Sequence, residues 1–236
     1  MSMVSKVIFG GAGRLLVAAV LLGGGIAPLA SADNAPKSNA AASVEAKELE
    51  LSLSVMQGKA ELVKQLLADG VNVNAVHYDK LTPLSLAIAY NRLEILPILL
   101  EAPGVDVNKS CPLFYAIREG KEVVVTQLLA AGADVNAEYQ NNTPLISAIL
   151  YGRVTIVERL LATPGIDVNK TTLETADTPL HKAAWKGSRQ IIPLLLAVPG
   201  IDVNAKNAAG DTPLKLAEKF GYPRCAEMIR AAGGKK

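Results

Sequence analysis

Aromatic side chains supply only 4% of the 236 residues, which disfavours a β-sandwich or barrel, because pleated surfaces are filled by aromatic and β-branched side chains. Leu, Ala and Val dominate instead, the composition of packed helices. Histidine and cysteine occur twice each, and no metal-ligand spacing is present among them. Blocks of like charge are absent, so no tail or stripe invites a polyanion. Half of the residues are apolar, enough for a sizeable core, and disorder throughout is excluded.

Lys6 and Arg14 precede an apolar stretch from Leu15 to Ile26 that ends in Pro28 and then Ala30-Ser31-Ala32. Diluted by Gly23, Gly24 and Gly25, this stretch falls short of the roughly 20 residues a bilayer-spanning helix needs. Residues 1–32 therefore read as a signal peptide cleaved after Ala32, small residues filling the positions a signal peptidase recognises, with an uncleaved membrane anchor as the alternative. No Cys follows the run, which argues against a lipid anchor. Removal of this segment leaves 22 basic and 22 acidic residues. A neutral mature chain offers no electrostatic footprint for nucleic acid or an anionic bilayer, so protein partners are expected and no membrane insertion after cleavage. Residues 33–44 are expected to form a flexible tether, and residues 45–236 the folded domain.

Within that domain the chain repeats itself. Thr82-Pro-Leu84, Cys111-Pro-Leu113, Thr143-Pro-Leu145, Thr178-Pro-Leu180 and Thr212-Pro-Leu214 recur with their prolines 29, 32, 35 and 34 residues apart. Val73-Asn74, Val107-Asn108, Val135-Asn136, Val168-Asn169 and Val203-Asn204 close the units, four of them as Asp-Val-Asn. Thr is a helix N-cap, Pro is pre-organised for the first helical position, and Leu begins a buried stripe. Ala87, Ala116, Ala148, Ala183 and Ala217 follow four residues after the prolines, small enough for close helix approach. Asn91, Gly120, Gly152, Gly187 and Gly221 end that helix, as residues that tolerate the left-handed conformation. Second helices carry leucine pairs, Leu66-Leu67, Leu99-Leu100, Leu128-Leu129, Leu160-Leu161 and Leu195-Leu196, whose stripe no single unit can bury. Pro97 and Pro193 fall near first turns, where a missing N–H costs little.

The unit resembles the ankyrin repeat, and Thr178-Pro-Leu-His-Lys-Ala-Ala-Trp-Lys-Gly187 is its first-helix motif with little departure. The resemblance covers Leu49 to Gly233 and implies an all-α solenoid of about six helix-turn-helix units with protruding β-turn or finger loops. The repeats lie near 49–76, 82–108, 111–136, 143–169, 178–204 and 212–233. The first unit, with Glu45, Lys47, Glu48 and Glu50, and the last, with Arg230 in a leucine position, suit solvent-facing caps. Pro103, Pro164 and Pro199 lengthen three turns by one residue. From the Asn of Val-Asn to the next Thr-type position there are 8, 3, 7, 9 and 8 residues, so the finger before Cys111 is nearly deleted and a notch is expected there.

Catalytic chemistry finds little material. His77 lies in a finger, and His181 occupies the motif position where the family's His is a structural hydrogen-bonder. Gly10-Gly-Ala-Gly13 lies inside the leader and lacks the phosphate-loop Lys-Ser/Thr. Asp106, Asp134, Asp167 and Asp202 recur one per repeat and read as turn stabilisers, because a catalytic pair must converge in one pocket. Cys111 and Cys225 stand three repeats apart, roughly 30 Å at about 10 Å per helix layer, against about 7 Å for a disulfide, and read as buried unpaired thiols. Asn108-Lys-Ser110, Asn141-Asn-Thr143 and Asn169-Lys-Thr171 fit the glycosylation acceptor pattern. No catalytic, cofactor or metal residue is assigned.

The resemblance places the partner surface on a concave face built from finger tips and the two first-helix positions before the inter-helix Gly. Those pairs are Ala89-Tyr90, Arg118-Glu119, Leu150-Tyr151, Trp185-Lys186 and Lys219-Phe220. Nine aromatics between Leu49 and Gly233 would place about half of one in ten such slots by chance, and the slots hold four. Tyr78 and Tyr139 add two at finger tips. Aromatics on a polar surface are what binding hot spots are made of, although partial packing on neighbouring helices would also explain them. The expected protein is an exported, periplasmic or secreted monomer that binds a protein partner through Tyr90, Tyr151, Trp185 and Phe220. Arg118, Glu119 and Lys186 would set register, and Tyr78 and Tyr139 would assist. A spacer without a specific partner, or an enzyme with a finger-loop site, are the alternatives.

Overall fold

A computed structural model describes residues 39–77 and 80–236. The leader, its cleavage site, residues 33–38 of the tether and Tyr78 lie outside the described residues. Six helix pairs follow one another. They are α1 (Asn39–Gln57) with α2 (Ala60–Ala68), α3 (Pro83–Ala89) with α4 (Leu96–Leu100), and α5 (Pro112–Glu119) with α6 (Glu122–Ala130). Next come α7 (Pro144–Leu150) with α8 (Val154–Leu161), α9 (Pro179–Lys186) with α10 (Ile191–Leu196), and α11 (Pro213–Lys219) with α12 (Pro223–Ala231). Residues 39–44, expected in the tether, belong to α1; Ala40, Ala41 and Ala42 are the strongest helix formers and carry the helix back past the repeat boundary.

First helices pack on first helices, from α1 through α11, and second helices form a parallel layer. The shared core runs the length of the stack, with Leu51, Ile88, Ile117, Ile149, Ala183 and Ala217 in the first layer and Val63, Leu99, Leu128, Leu160, Leu195 and Ile229 in the second, all fully buried. The threonine caps are formed: Thr82, Thr143, Thr178 and Thr212 accept the amide of the third residue onward in each case. Cys111 does not cap; with Ser110 it takes a left-handed backbone, φ 52° and 59°, and the short connection is held by the Ser85 hydroxyl donating to the Ser110 carbonyl.

Polar bonds along the turn edge fix the register of one repeat on the next. Asn74, Asn136 and Asn169 each donate Nδ2 to the carbonyl of Gly104, Gly165 and Gly200, and each accepts at Oδ1 the amide of Asp106, Asp167 and Asp202. Asn108 accepts from the Asp134 amide in the same way. The three lengthened Pro-Gly turns are the ones that present these glycine carbonyls. At the C-terminal end the tail supplies what a further repeat would, the Gly233 carbonyl and Lys235 amide bonding Asn204.

Each net hydrogen bond contributes about 0.5–1.5 kcal/mol, so Asn169→Ala, which removes two, should lower unfolding stability by about 1–3 kcal/mol. Asn141→Ala removes one finger bond, to the Glu174 amide, and should lower it less. Urea unfolding of both variants measures the difference, and equal midpoints would contradict a register role for the Asn169 carboxamide.

Candidate functional site

Each first helix ends at the turn into its own second helix, and its last carbonyls carry the negative end of the helix dipole. A basic side chain of the following repeat meets most of these ends. Arg92 Nε donates to the Met56 carbonyl, Lys121 Nζ to Ile88 and Arg153 Nη2 to Arg118, at 2.8–2.9 Å. Lys186 Nζ donates to the Leu150 carbonyl in the same manner. Lys186, expected to meet a partner, thus already holds the adjacent repeat. At the next junction the ring of Tyr222 lies against Gly187, where a Cβ would stand 2.5 Å from it, so glycine is required there.

The residues beside those ends remain open. Tyr90, Tyr151, Trp185 and Phe220 are 39%, 44%, 45% and 45% exposed. Trp185 and Phe220, from successive repeats, meet edge to face with centroids 6.2 Å apart. Tyr151 meets Phe114 at 6.4 Å, also edge to face. Arg118 and Glu119 pair at 3.0 Å, and the Arg118 guanidinium stands 5.0 Å over the Tyr115 ring. Tyr139, at a finger turn closed by paired backbone bonds with Asn142, packs its ring 4.6 Å from Phe114 and 6.3 Å from Tyr115.

Phe114 and Tyr115 were not among the expected site residues. They sit at first-helix positions that other repeats fill with Ser, Ile, His, Lys or Leu, and their neighbour in sequence is the shortened finger; that conjunction was the available signal. Where the finger is short, Cys111, Phe114, Tyr139 and Asn142 line a recess of about 20 Å³, room for about one water. Burial raises the pKa of Tyr115 to about 12, helped by the neighbouring Tyr139 hydroxyl. The Cys111 thiol, half-buried rather than fully buried, is also pushed up by burial, as is Cys225; both are free. Protonated thiols are poor nucleophiles.

The remaining candidates are occupied by structure. Asp106, Asp134, Asp167 and Asp202 each accept the amide two residues on, one per repeat, and do not converge. Asn108 and Asn169, two of the glycosylation-pattern residues, hold the neighbouring repeat through their carboxamides. His181 is fully buried. Its Nδ1 accepts the Thr178 amide at 3.2 Å, so the other nitrogen carries the proton and donates to the Asp211 carbonyl at 2.9 Å. Among the described residues no cluster of three or more His, Cys, Asp or Glu could hold a metal, and no helix is long and apolar enough to cross a membrane.

Family models of ankyrin repeats match residues 35–111 and 105–172 (three copies) and 163–217 (many copies). The chain belongs to the ankyrin-repeat family. It is 29% identical over 190 residues to the ankyrin repeat protein YahD of Escherichia coli K12, covering 77% of this chain and 94% of YahD. It is 27% identical to the NF-kappa-B p105 subunit of Gallus gallus, covering 78% of this chain but 16% of p105. Among solved structures, an ankyrin repeat domain from Acinetobacter baumannii superposes with TM-score 0.73 at 29% identity, over 80% of this chain and all of that one. The ankyrin repeat domain of Bcl-3 superposes at 0.71 and 23% identity, over 78% and 86%, a likeness of fold. Ankyrin repeats generally mediate protein–protein interactions, and this ankyrin-repeat chain shares their all-helical stack.

Burial holds the His181 imidazole below its ordinary pKa, against the pull of the Asp211 carbonyl. The unfolded chain therefore binds that proton more tightly: His181's contribution is complete above the ordinary value of about 6.5 and is lost as pH falls below it. Urea midpoints should decline between about pH 7 and 5 in the parent and more shallowly in His181→Gln. Parallel declines would remove His181 as the cause.

Proposed function

We propose that this ankyrin-repeat chain is a non-enzymatic scaffold that seats a protein partner on its first-helix face and finger loops. The observation that carries the reading is that the four aromatics in the free first-helix slots, Tyr90, Tyr151, Trp185 and Phe220, all stay 39–45% exposed and recur in the same two-residue slot of their units. Large apolar groups left in water on a fixed surface are favourable only when something covers them. Arg118 and Glu119, paired with each other, orient the partner; Lys186 contributes the donors left over from its bond to Leu150. Tyr139 forms the wall of the notch.

Trp185→Ala should weaken partner binding at least about thirtyfold, because truncating a central aromatic anchor costs about 2 kcal/mol or more. Lys206→Ala, in a finger, should change it little. The comparison is made by affinity capture of partners followed by titration, with thermal midpoints recorded for each variant. Undiminished binding by a folded Trp185→Ala protein, with loss in Tyr139→Ala, would move recognition to the fingers.

The same reading places the protein outside the cytoplasm, on the strength of Lys6, Arg14, the Leu15–Ile26 run and Ala30-Ser31-Ala32. Intact-mass measurement should find a mature chain beginning at Asp33; a full-length species retained in membranes would overturn the cleavage.

A further inference from the structure

Although the mature chain is neutral, its charge is not evenly spread. Residues 45–136 hold 12 acidic and 8 basic side chains, whereas residues 137–236 hold 9 acidic and 13 basic. The imbalance sharpens toward the end, since residues 177–236 hold 5 acidic and 10 basic side chains.

The structure shows why these cations do not cancel locally. Asp211 faces two ammonium groups, Lys215 at 2.6 Å and Lys219 at 3.4 Å. Glu218 likewise faces Arg230 at 2.6 Å and Lys236 at 3.0 Å. One carboxylate neutralises one cation, so each set keeps a surplus positive charge. Lys186 rests on a neutral carbonyl and keeps its own. Only Lys182 is matched, by the buried Asp177 at 2.7 Å. Lys215 and Lys219 are more than half exposed, and Lys219 adjoins Phe220 in the chain as Lys186 adjoins Trp185. The exposed edge-to-face pair of Trp185 and Phe220 is therefore flanked by uncompensated lysines on both repeats.

We propose that the last two repeats recognise an acidic protein segment carrying an apolar or aromatic anchor. The anchor covers Trp185 and Phe220, and the carboxylates share Lys186, Lys215 and Lys219. This rests on the first-helix face being the partner surface and names the chemistry of what binds there. The excess of acid in the first three repeats repels a nucleic-acid backbone tracking along the stack. A short acidic segment confined to the C-terminal end meets no such penalty.

The test is selection of the full mature chain against an unbiased displayed library of random peptides, followed by titration of the enriched peptides. Enriched sequences should be net negative with an apolar residue. Their binding should weaken about tenfold in Lys215→Gln/Lys219→Gln and severalfold on raising salt from about 50 to 500 mM, because exposed pairs are screened. The salt series on the unmodified chain keeps the test independent of any folding defect in the variant. Enrichment of neutral or basic peptides, no enrichment, salt-insensitive binding, or equal competition by a single-stranded DNA oligomer each overturns the proposal. Peptides lost in Trp185→Ala but indifferent to the lysines and to salt would leave the partner surface standing and remove only its acidic preference.

Discussion

The structure depends on one constraint: no repeat can bury its own apolar stripe. A helix of five to nine residues, as all but α1 are, has too few internal bonds to persist alone, so each is helical because its neighbours cover it. The alanines four residues after each proline, fully buried from Ala87 to Ala217, let first helices approach closely enough for that cover to be continuous. Stability therefore belongs to the interfaces between repeats more than to the repeats.

Apolar burial is non-directional and leaves sliding of one repeat over the next nearly free. Direction comes from two rows of polar bonds on separate edges. On the turn edge the asparagine carboxamides offer one donor and one acceptor to the next unit, and a shift of one residue breaks both. On the other edge, Arg92, Lys121, Arg153 and Lys186 reach back to first-helix ends, placing cations where the dipoles favour them. Tyr222 ends that row with an aromatic contact on Gly187 in place of a cation.

The repeat was legible because its signals are local: a capping Thr, a Pro at the first helical position, a left-handed Gly and a paired leucine are each decided by a few neighbouring residues. The open positions of Tyr90, Tyr151, Trp185 and Phe220 were legible for the same reason, since subtracting the structural positions leaves them over. Side chains that reach into another repeat were not. Nothing near Lys186 in sequence indicates the Leu150 carbonyl, and nothing near Phe114 indicates Tyr139, because both partners lie 25 or more residues away. The start of α1 was not legible because three alanines, though strong helix formers, are too short a run to be helical by themselves, and the packing of the helix they extend on α3 is not a local signal.

Departures from the repeat are where this chain differs from a generic stack, and the shortened finger shows how. With the capping position of α5 only three residues on from Asn108, against seven to nine in the other fingers, the backbone must turn through Ser110 and Cys111, both left-handed without being glycine. Such conformations cost on the order of 1–3 kcal/mol each and persist only when the surroundings enforce them. Here Ser85, Lys80 and the flanking helices do so, the Ser110 hydroxyl donating to the Lys80 carbonyl at 2.8 Å. The finger that would have covered Phe114 is gone, and Tyr139 of the following finger leans in to take its place. The loss of a few residues thus converts an ordinary finger into a small aromatic-walled recess, with the Arg118 guanidinium lying over the adjoining Tyr115 ring.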